Sequence, residues 1–309
     1  MSIPDHAIRR IALLMDFENI VLGLPSSSKF RPKAILSRVL DLGKVVIKRA
    51  YADWSRYDNH KIKLHELGFD LMEIPKRAMT GKNAADIRMV VDAMDVVISK
   101  EHVDTFALVT GDSDFTPLAA KLRELDKRVI GIGVKDSTSK LLIDACDEFI
   151  FYDELDDVSV SAAEATAKLA LPVAEKTRGS KASPAASKVD DRRRAEGLYL
   201  MLETTRSLMR DYDTLWASMI KQTIMRKQPA FSESYHGYPT FTAMVEDAVK
   251  LGILKGARDE KSGNWRITGV GEKGLVLMAA SKRKDSAPKD VKDVKEPKAV
   301  KEPKAVKAP

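Results

Sequence analysis

Thr105-Phe106-Ala107-Leu108-Val109-Thr110-Gly111-Asp112-Ser113-Asp114-Phe115 is the stretch on which the reading of this chain turns. Thr105 to Val109 has the apolar, strand-forming character of a β-strand, and Phe115 to Leu125 has helical spacing. Asp112 and Asp114 therefore fall where a strand ends and a helix begins. Outward from this point the pattern repeats. Upstream, Ile11 to Met15 is an apolar run that ends at Asp16, Pro32 to Leu42 is a helix, and Val45 to Ala50 a strand. A short helix, Asn59 to Leu67, stops at Gly68 before the strand Phe69 to Ile74. Ala84 to Ser99 is a long amphipathic helix with Ile87, Val90, Val91, Met94, Val97 and Ile98 on one broad face. Downstream come a strand at Arg128 to Gly133, a helix at Ser139 to Ala145 and a strand at Glu148 to Tyr152. Strands alternating with helices predict an α/β fold with a mostly parallel sheet between helical layers.

The composition shifts after residue 155. From 156 to 191 Ala, Ser, Lys, Glu and Pro dominate, which reads as a flexible linker between a first domain, 1–155, and a second compact unit, 192–277. In the second unit, helices are expected at Ala195 to Arg210, Thr214 to Arg226 and Thr240 to Leu251. Ile253 to Lys255 and Asn264 to Ile267 can pair as a hairpin, which together suggests a winged helix. The remainder, 278–309, repeats the hexapeptide Lys-Glu-Pro-Lys-Ala-Val and is too rich in Lys and Pro to bury a core, so a disordered basic tail is expected. The 309 residues carry a formal net charge of +7, an excess that attracts phosphate backbones or anionic surfaces. One cysteine, Cys146, excludes an internal disulfide framework and suits a reducing, cytoplasmic compartment. Met1 to Arg10 lacks the apolar core of a signal peptide, and no stretch approaches the roughly 18 apolar residues of a membrane span.

The acidic residues carry the chemistry. In an open parallel sheet, sites form outside the carboxyl ends of the strands where strand order reverses. Asp16 and Asp112 meet there if their strands are neighbours, and Asp86, at the start of the long helix after Thr80-Gly81-Lys82-Asn83, is a third candidate. Carboxylates facing one point repel each other, and a hard cation such as Mg²⁺ or Mn²⁺ relieves that repulsion. Such an ion activates water and stabilises charge in phosphoryl displacement. Taken singly, each residue has a plainer explanation: Asp86 and Asp114 as helix caps, Asp16 as a turn residue. No Cys/His spacing suggests zinc, since His60 and His65 share no ligand face. A P-loop or dinucleotide site is also disfavoured, because Gly131-Ile132-Gly133-Val134-Lys135 lacks the further glycine.

Leu13-Leu14-Met15-Asp16-Phe17-Glu18-Asn19-Ile20 resembles the opening motif of NYN domains, the PIN-like nuclease group that includes LabA-type proteins. Lys82-Asn83-Ala84-Ala85-Asp86 through Val91-Asp92-Ala93-Met94, the stretch quoted first with Pro117-Leu118, and Arg128 to Gly133 match in order. The resemblance spans roughly Arg9 to Asp153. It implies a PIN-like fold and Mg²⁺- or Mn²⁺-dependent endoribonuclease chemistry. The family's acidic positions fall on Asp16, Asp86, Asp112 and Asp114, the first three as metal ligands. Asn19 is implied to orient a ligand or phosphate, with Asp92 in a supporting position.

Lys227 to Phe241, the run KQPAFSESYHGYPTF, is similar to the signature of the OST-HTH or LOTUS domain, continued by Val245-Glu246-Asp247-Ala248 and Leu251-Gly252-Ile253-Leu254. That resemblance implies a winged helix that binds RNA, often G-rich, or protein partners. The residues agree in outline: Lys221, Arg226 and Lys227 precede a loop with Tyr235, His236 and Tyr238, and basic and flat side chains suit phosphates and unpaired bases. Lys227, His236 and Tyr238 are the expected RNA contacts, and Phe241 a core residue. The expected function is a metal-dependent RNA endonuclease. The alternatives are a catalytically silent RNA-binding regulator and a protein-interaction adaptor.

Overall fold

A computed structural model describes residues 8–25, 29–74, 84–155, 184–260 and 262–282. The first unit is built on a six-stranded, wholly parallel sheet: β1 (Arg10–Asp16), β2 (Lys44–Ala52), β3 (Asp70–Glu73), β4 (Thr105–Val109), β5 (Arg128–Gly133) and β6 (Glu148–Phe151), in the order β3-β2-β1-β4-β5-β6. Ile11 to Asp16 and Thr105 to Val109 are buried throughout, because a central parallel strand has helices on both faces. On one face lie α1 (Phe17–Gly23), α2 (Pro32–Leu42) and α3 (Asp58–Glu66), contributing Phe17, Ile20, Ile35, Val39 and Leu64 to the core. The other face is covered by α4 (Ala84–Ser99), α5 (Thr116–Glu124) and α6 (Lys140–Ala145), through Met89, Ala93, Val96, Leu118, Leu122 and Leu142. The chain winds outward from β1 to β3, then returns to β4 on β1's other side. Strand order therefore reverses between β1 and β4, and their carboxyl ends flank the crevice where ligands bind in such sheets.

The face that α4 lays on the sheet differs from the sequence expectation. Met89, Asp92, Ala93 and Val96 are the buried positions, whereas Ile87, Val91 and Ile98 face outward. The reason is polar: the Asp92 carboxylate accepts from Tyr51 Oη at 3.0 Å and pairs with Arg49 at 3.4 Å, both on β2. Those partners offset the cost of burying the carboxylate, which lets the Asp92 side of the helix turn inward.

The second unit comprises α7 (Pro184–Leu208), β7 (Leu215–Trp216), α8 (Ala217–Lys227), α9 (Phe241–Lys250), β8 (Leu254–Arg258), β9 (Trp265–Val270) and α10 (Glu272–Lys282). The strands form an antiparallel sheet in the order β7-β9-β8. Leu198, Leu202, Ile220, Ile224, Met244, Val245 and Ile267 build one core. Three details depart from expectation. Helix α7 begins at Pro184, inside the stretch read as linker, and most of that stretch, 156–183, lies outside the described residues, as does the tail from 283. Leu215–Trp216 is a strand that pairs with β9, not the start of a helix. And α10 was not expected; it carries the chain to Lys282, into the stretch read as tail, because Leu277 and Met278 pack on the second core.

The two units are docked. Arg38 of α2 grips Asp211 with two bonds, 2.6 and 2.7 Å, and reaches Glu148 at 3.4 Å. Asp41 is 4 % exposed, accepts from Ser207 and pairs with Lys227 at 2.6 Å. Arg226 donates to the carbonyls of Leu40 and Asp41 at 2.9 and 3.1 Å, filling acceptors that the end of α2 leaves open. Asp41 lies beside the turn into β2, so the second unit sits at the edge of the sheet away from the carboxyl ends of β1 and β4.

Candidate active site

Asp16 ends β1 and opens α1. Its Oδ1 accepts from the Asn19 N–H at 3.2 Å, which caps the helix, and its Oδ2 accepts from Thr110 Oγ1 at 3.5 Å. Thr110, fully buried just beyond β4, also accepts from the Asp112 N–H at 3.2 Å. One hydroxyl thus links the ends of both central strands. Asn19 adds a second tie, its Oδ1 accepting from the Gly111 N–H at 2.8 Å. Gly111 is squeezed from the far side: a Cβ there would lie 2.9 Å from Thr138 Oγ1 and 3.1 Å from the Ser137 carbonyl. Asp112 Oδ1 accepts from the Asp114 N–H at 3.0 Å, shaping the turn that leads into α5.

The electrostatics mark this edge. Burial pushes the Asp16 carboxyl up to about 7 from an ordinary 3.8, and Asp86, Asp112 and Glu18 push the same way, against the Asn19 N–H. Asp86, in the first turn of α4, is raised to about 6, first by burial and then by Asp112 and Asp114. The acids therefore lie close enough to oppose one another's ionisation, and among the described residues no lysine or arginine figures in the balance at either carboxylate.

Asp16, Asp86, Asp112 and Asp114 are thus brought to one edge. Among the described residues, no three Asp, Glu, His or Cys side chains are drawn tightly enough to enclose an ion by themselves. The donor set still fits a hard divalent cation. It is all carboxylate oxygen and, among the described residues, has no counter-charge, and Mg²⁺ is commonly held by one or two carboxylates, with water and substrate phosphate completing the shell. Asn19 stands within this edge with its carbonyl oxygen committed to Gly111. Asp92 does not belong to the group of acids acting on Asp16 or Asp86; Tyr51, Arg49 and Arg88 hold it, the last at 3.1 Å. Lys82 and Asn83 lie outside the described residues.

Two contributors were not singled out from the sequence. Glu18 adds its field to Asp16 while its Oε1 accepts from the Asp53 N–H at 3.0 Å. An acid two residues beyond the strand-end Asp was the available signal. Thr110 had no comparable one, since its role depends on β1 and β4 being neighbours.

In the second unit, the structure gives the three expected RNA contacts internal partners. Lys227 is committed to Asp41. His236 is buried, with Nδ1 2.8 Å from the Arg193 carbonyl and its ring stacked on Phe231. Tyr238 is buried and donates to Asp247, which Arg194 also clamps at 2.7 Å; burial and that carboxylate raise the phenol well above its usual range. The exposed aromatic of this loop is Tyr235, with the Arg193 guanidinium 4.8 Å from its ring centroid. Among the described residues no helix is long and apolar enough to cross a membrane.

The sequence model of the NYN domain family matches residues 10–155. An uncharacterised protein of Methanocaldococcus jannaschii is 32 % identical over 141 residues, covering 46 % of this chain and 54 % of that protein, so the chain spans about half the length of the relative it matches. A crystal structure of a protein of unknown function from Vibrio parahaemolyticus is 30 % identical, with a TM-score of 0.42, covering 50 % of this chain and 98 % of that one. The matched span runs from the first residue of β1 to the end of the parallel sheet and takes in all four acids, which supports an NYN domain at residues 10–155 and so indicates the PIN-like nuclease superfamily.

Proposed function

We propose that the chain is a Mg²⁺- or Mn²⁺-dependent endoribonuclease acting in the cytoplasm, with the second unit contributing to RNA binding. The observation that carries this reading is the group of acids at the reversal between β1 and β4, where two carboxyls are raised to about 7 and about 6 by burial and by neighbouring acids. A cluster that opposes its own ionisation is a standing demand for positive charge. Asp16, Asp86 and Asp112 would hold the cation, and Asp114, on the exposed side of the turn, would orient the attacking water. The bound ion would supply charge for the phosphodiester transition state and lower the pKa of a water. The protein's own part is positioning: Thr110 and Asn19 fix the two strand ends so that Asp16 and Asp112 keep their separation.

In the second unit, we assign RNA contact to exposed Tyr235 and the half-buried Arg193 beside its ring, supported by the positions expected from the motif, Lys227, His236 and Tyr238. The resemblance to OST-HTH domains supports this assignment, and G-rich or structured RNA is its expected ligand. Lys227, His236 and Tyr238 have internal partners here, so any role of theirs in binding is through shaping the loop and the docking of the two units.

A second reading, an RNA-binding regulator that does not cut, draws on the spacing of the acids, no three of which alone enclose an ion among the described residues. Purified full-length protein incubated with mixed structured and unstructured RNAs, with Mn²⁺ or with EDTA, separates the two. Cleavage products that need Mn²⁺ are the expected result. RNA retained intact with Mn²⁺, at concentrations where it is bound, would favour the regulator.

A further inference from the structure

Helix α4 buries one apolar stripe and leaves most of a second exposed, of which only Met94 also touches the core. Met89, Ala93 and Val96 are buried against the sheet. Ile87, Val91 and Ile98 are 64, 57 and 77 % exposed, and with half-buried Met94 they follow one another at intervals of four, three and four residues. That is the spacing of a coiled-coil seam. Single exposed aliphatics are ordinary, but three large ones aligned on one helix make a continuous patch. The second unit docks on α2, on the other face of the sheet, and leaves this stripe open.

We infer that α4 pairs with α4 of a second copy of this chain, antiparallel, about a two-fold axis that passes between Val91 and Met94. In that register Ile87 meets Ile98 of the other copy, and Val91 meets its Met94. The flanking charges select this occupant. Arg88 and Asp95 occupy the same flank of the stripe, one heptad apart. In an antiparallel pair each flank faces its own equivalent, so Arg88 of each copy lies opposite Asp95 of the other, once on either side of the axis. Both are exposed; Arg88 gives its Nε to Asp92, and its remaining guanidinium donors can serve the partner. The other flank carries Val90 and Val97, which are half-buried and pack on the core, so the open seam is the stripe itself. This self-complementarity is what a two-fold interface requires. A parallel arrangement would not bring Arg88 and Asp95 together. The stripe is small beside the roughly 1,000 Å² of a stable interface, so the dimer should exchange with monomer as concentration changes.

Sedimentation velocity of the full chain over a range of concentrations tests this. A concentration-dependent shift from monomer to dimer is expected. Val91→Glu, at an exposed position that should not disturb folding, should weaken dimerisation by about tenfold or more, because a carboxylate would be buried in the seam. Asp95→Lys and Arg88→Glu should each weaken self-association, and mixing these two variants should restore dimers, since each then carries the charges the other lacks. A chain that stays monomeric at every concentration would overturn the proposal. So would a dimer indifferent to Val91→Glu, as when another surface or another segment of the chain makes the contact. Charge variants that fail to rescue each other would overturn the register.

Discussion

Replacing Asp16 by Asn should stabilise the metal-free protein, and only above a certain pH. The carboxyl is 7 % exposed and titrates near 7 in the fold against 3.8 ordinarily. An acid whose folded pKa is raised makes the fold hold a proton that the unfolded chain releases. Stability is therefore fullest below about pH 4, falls as pH rises towards about 7, and levels off above it. Converted at about 1.4 kcal/mol per tenfold, the gap between the two titrations amounts to on the order of 4 kcal/mol, an upper bound because water and neighbouring groups relax around the ionised site. About 2 kcal/mol is a safer expectation for what Asp16→Asn recovers at pH 8. The amide keeps the acceptor for the Asn19 N–H, so the cap survives. Urea unfolding followed by the fluorescence of Trp54, buried in the first core, should be run in EDTA at several values between about pH 5 and pH 8. The gap between the variant and the parent should be smallest at the acid end and widen as pH rises. Mn²⁺ added at the alkaline end should raise the parent's stability and do much less for the variant. A difference between the two proteins that does not change with pH would refute the argument, because it would mean that the Asp16 carboxylate is already neutralised in the fold.

Other expectations follow from the same contacts. Asp112→Asn should reduce cleavage about 100-fold or more while leaving RNA affinity equal or higher, measured by single-turnover cutting and by filter binding; full activity in that variant would move the chemistry elsewhere. Lys227→Ala leaves the carboxylate of Asp41 buried without its cation and should cost about 3 kcal/mol, read as a lower midpoint in thermal unfolding; an unchanged midpoint would mean that the docked arrangement is not held by this pair. Tyr235→Ala should weaken RNA binding by about 1–3 kcal/mol without lowering stability, whereas Tyr238→Phe should lower stability by removing the donor to Asp247. Equal losses of binding in both, with no change in melting, would contradict the division between exposed and internal aromatics.

Local pattern was enough to determine the alternation of elements, because a buried parallel strand such as Ile11–Met15 or Thr105–Val109 and an amphipathic helix such as Pro32–Leu42 each write their period into neighbouring residues. It also made Asp16, Asp86, Asp112 and Asp114 candidates, since carboxylates at strand and helix ends are visible without knowing which strands are neighbours. What those patterns could not contain was pairwise. That the Asp92 side of α4 can turn inward depends on Arg49 and Tyr51 on β2, some forty residues away, which hold Asp92 in the core. Whether Lys227 faced phosphate or protein was decided by Asp41 on α2, and the same held for His236 and Tyr238, whose partners Arg193 and Asp247 stand on other helices. The short strand Leu215–Trp216 exists because β9 offers it an edge. Thr110 became a link between two strand ends only once β1 and β4 lay side by side. A residue's type and period are properties of the chain near it, while the partner that satisfies a buried charge or hydroxyl is supplied by whatever the fold brings alongside.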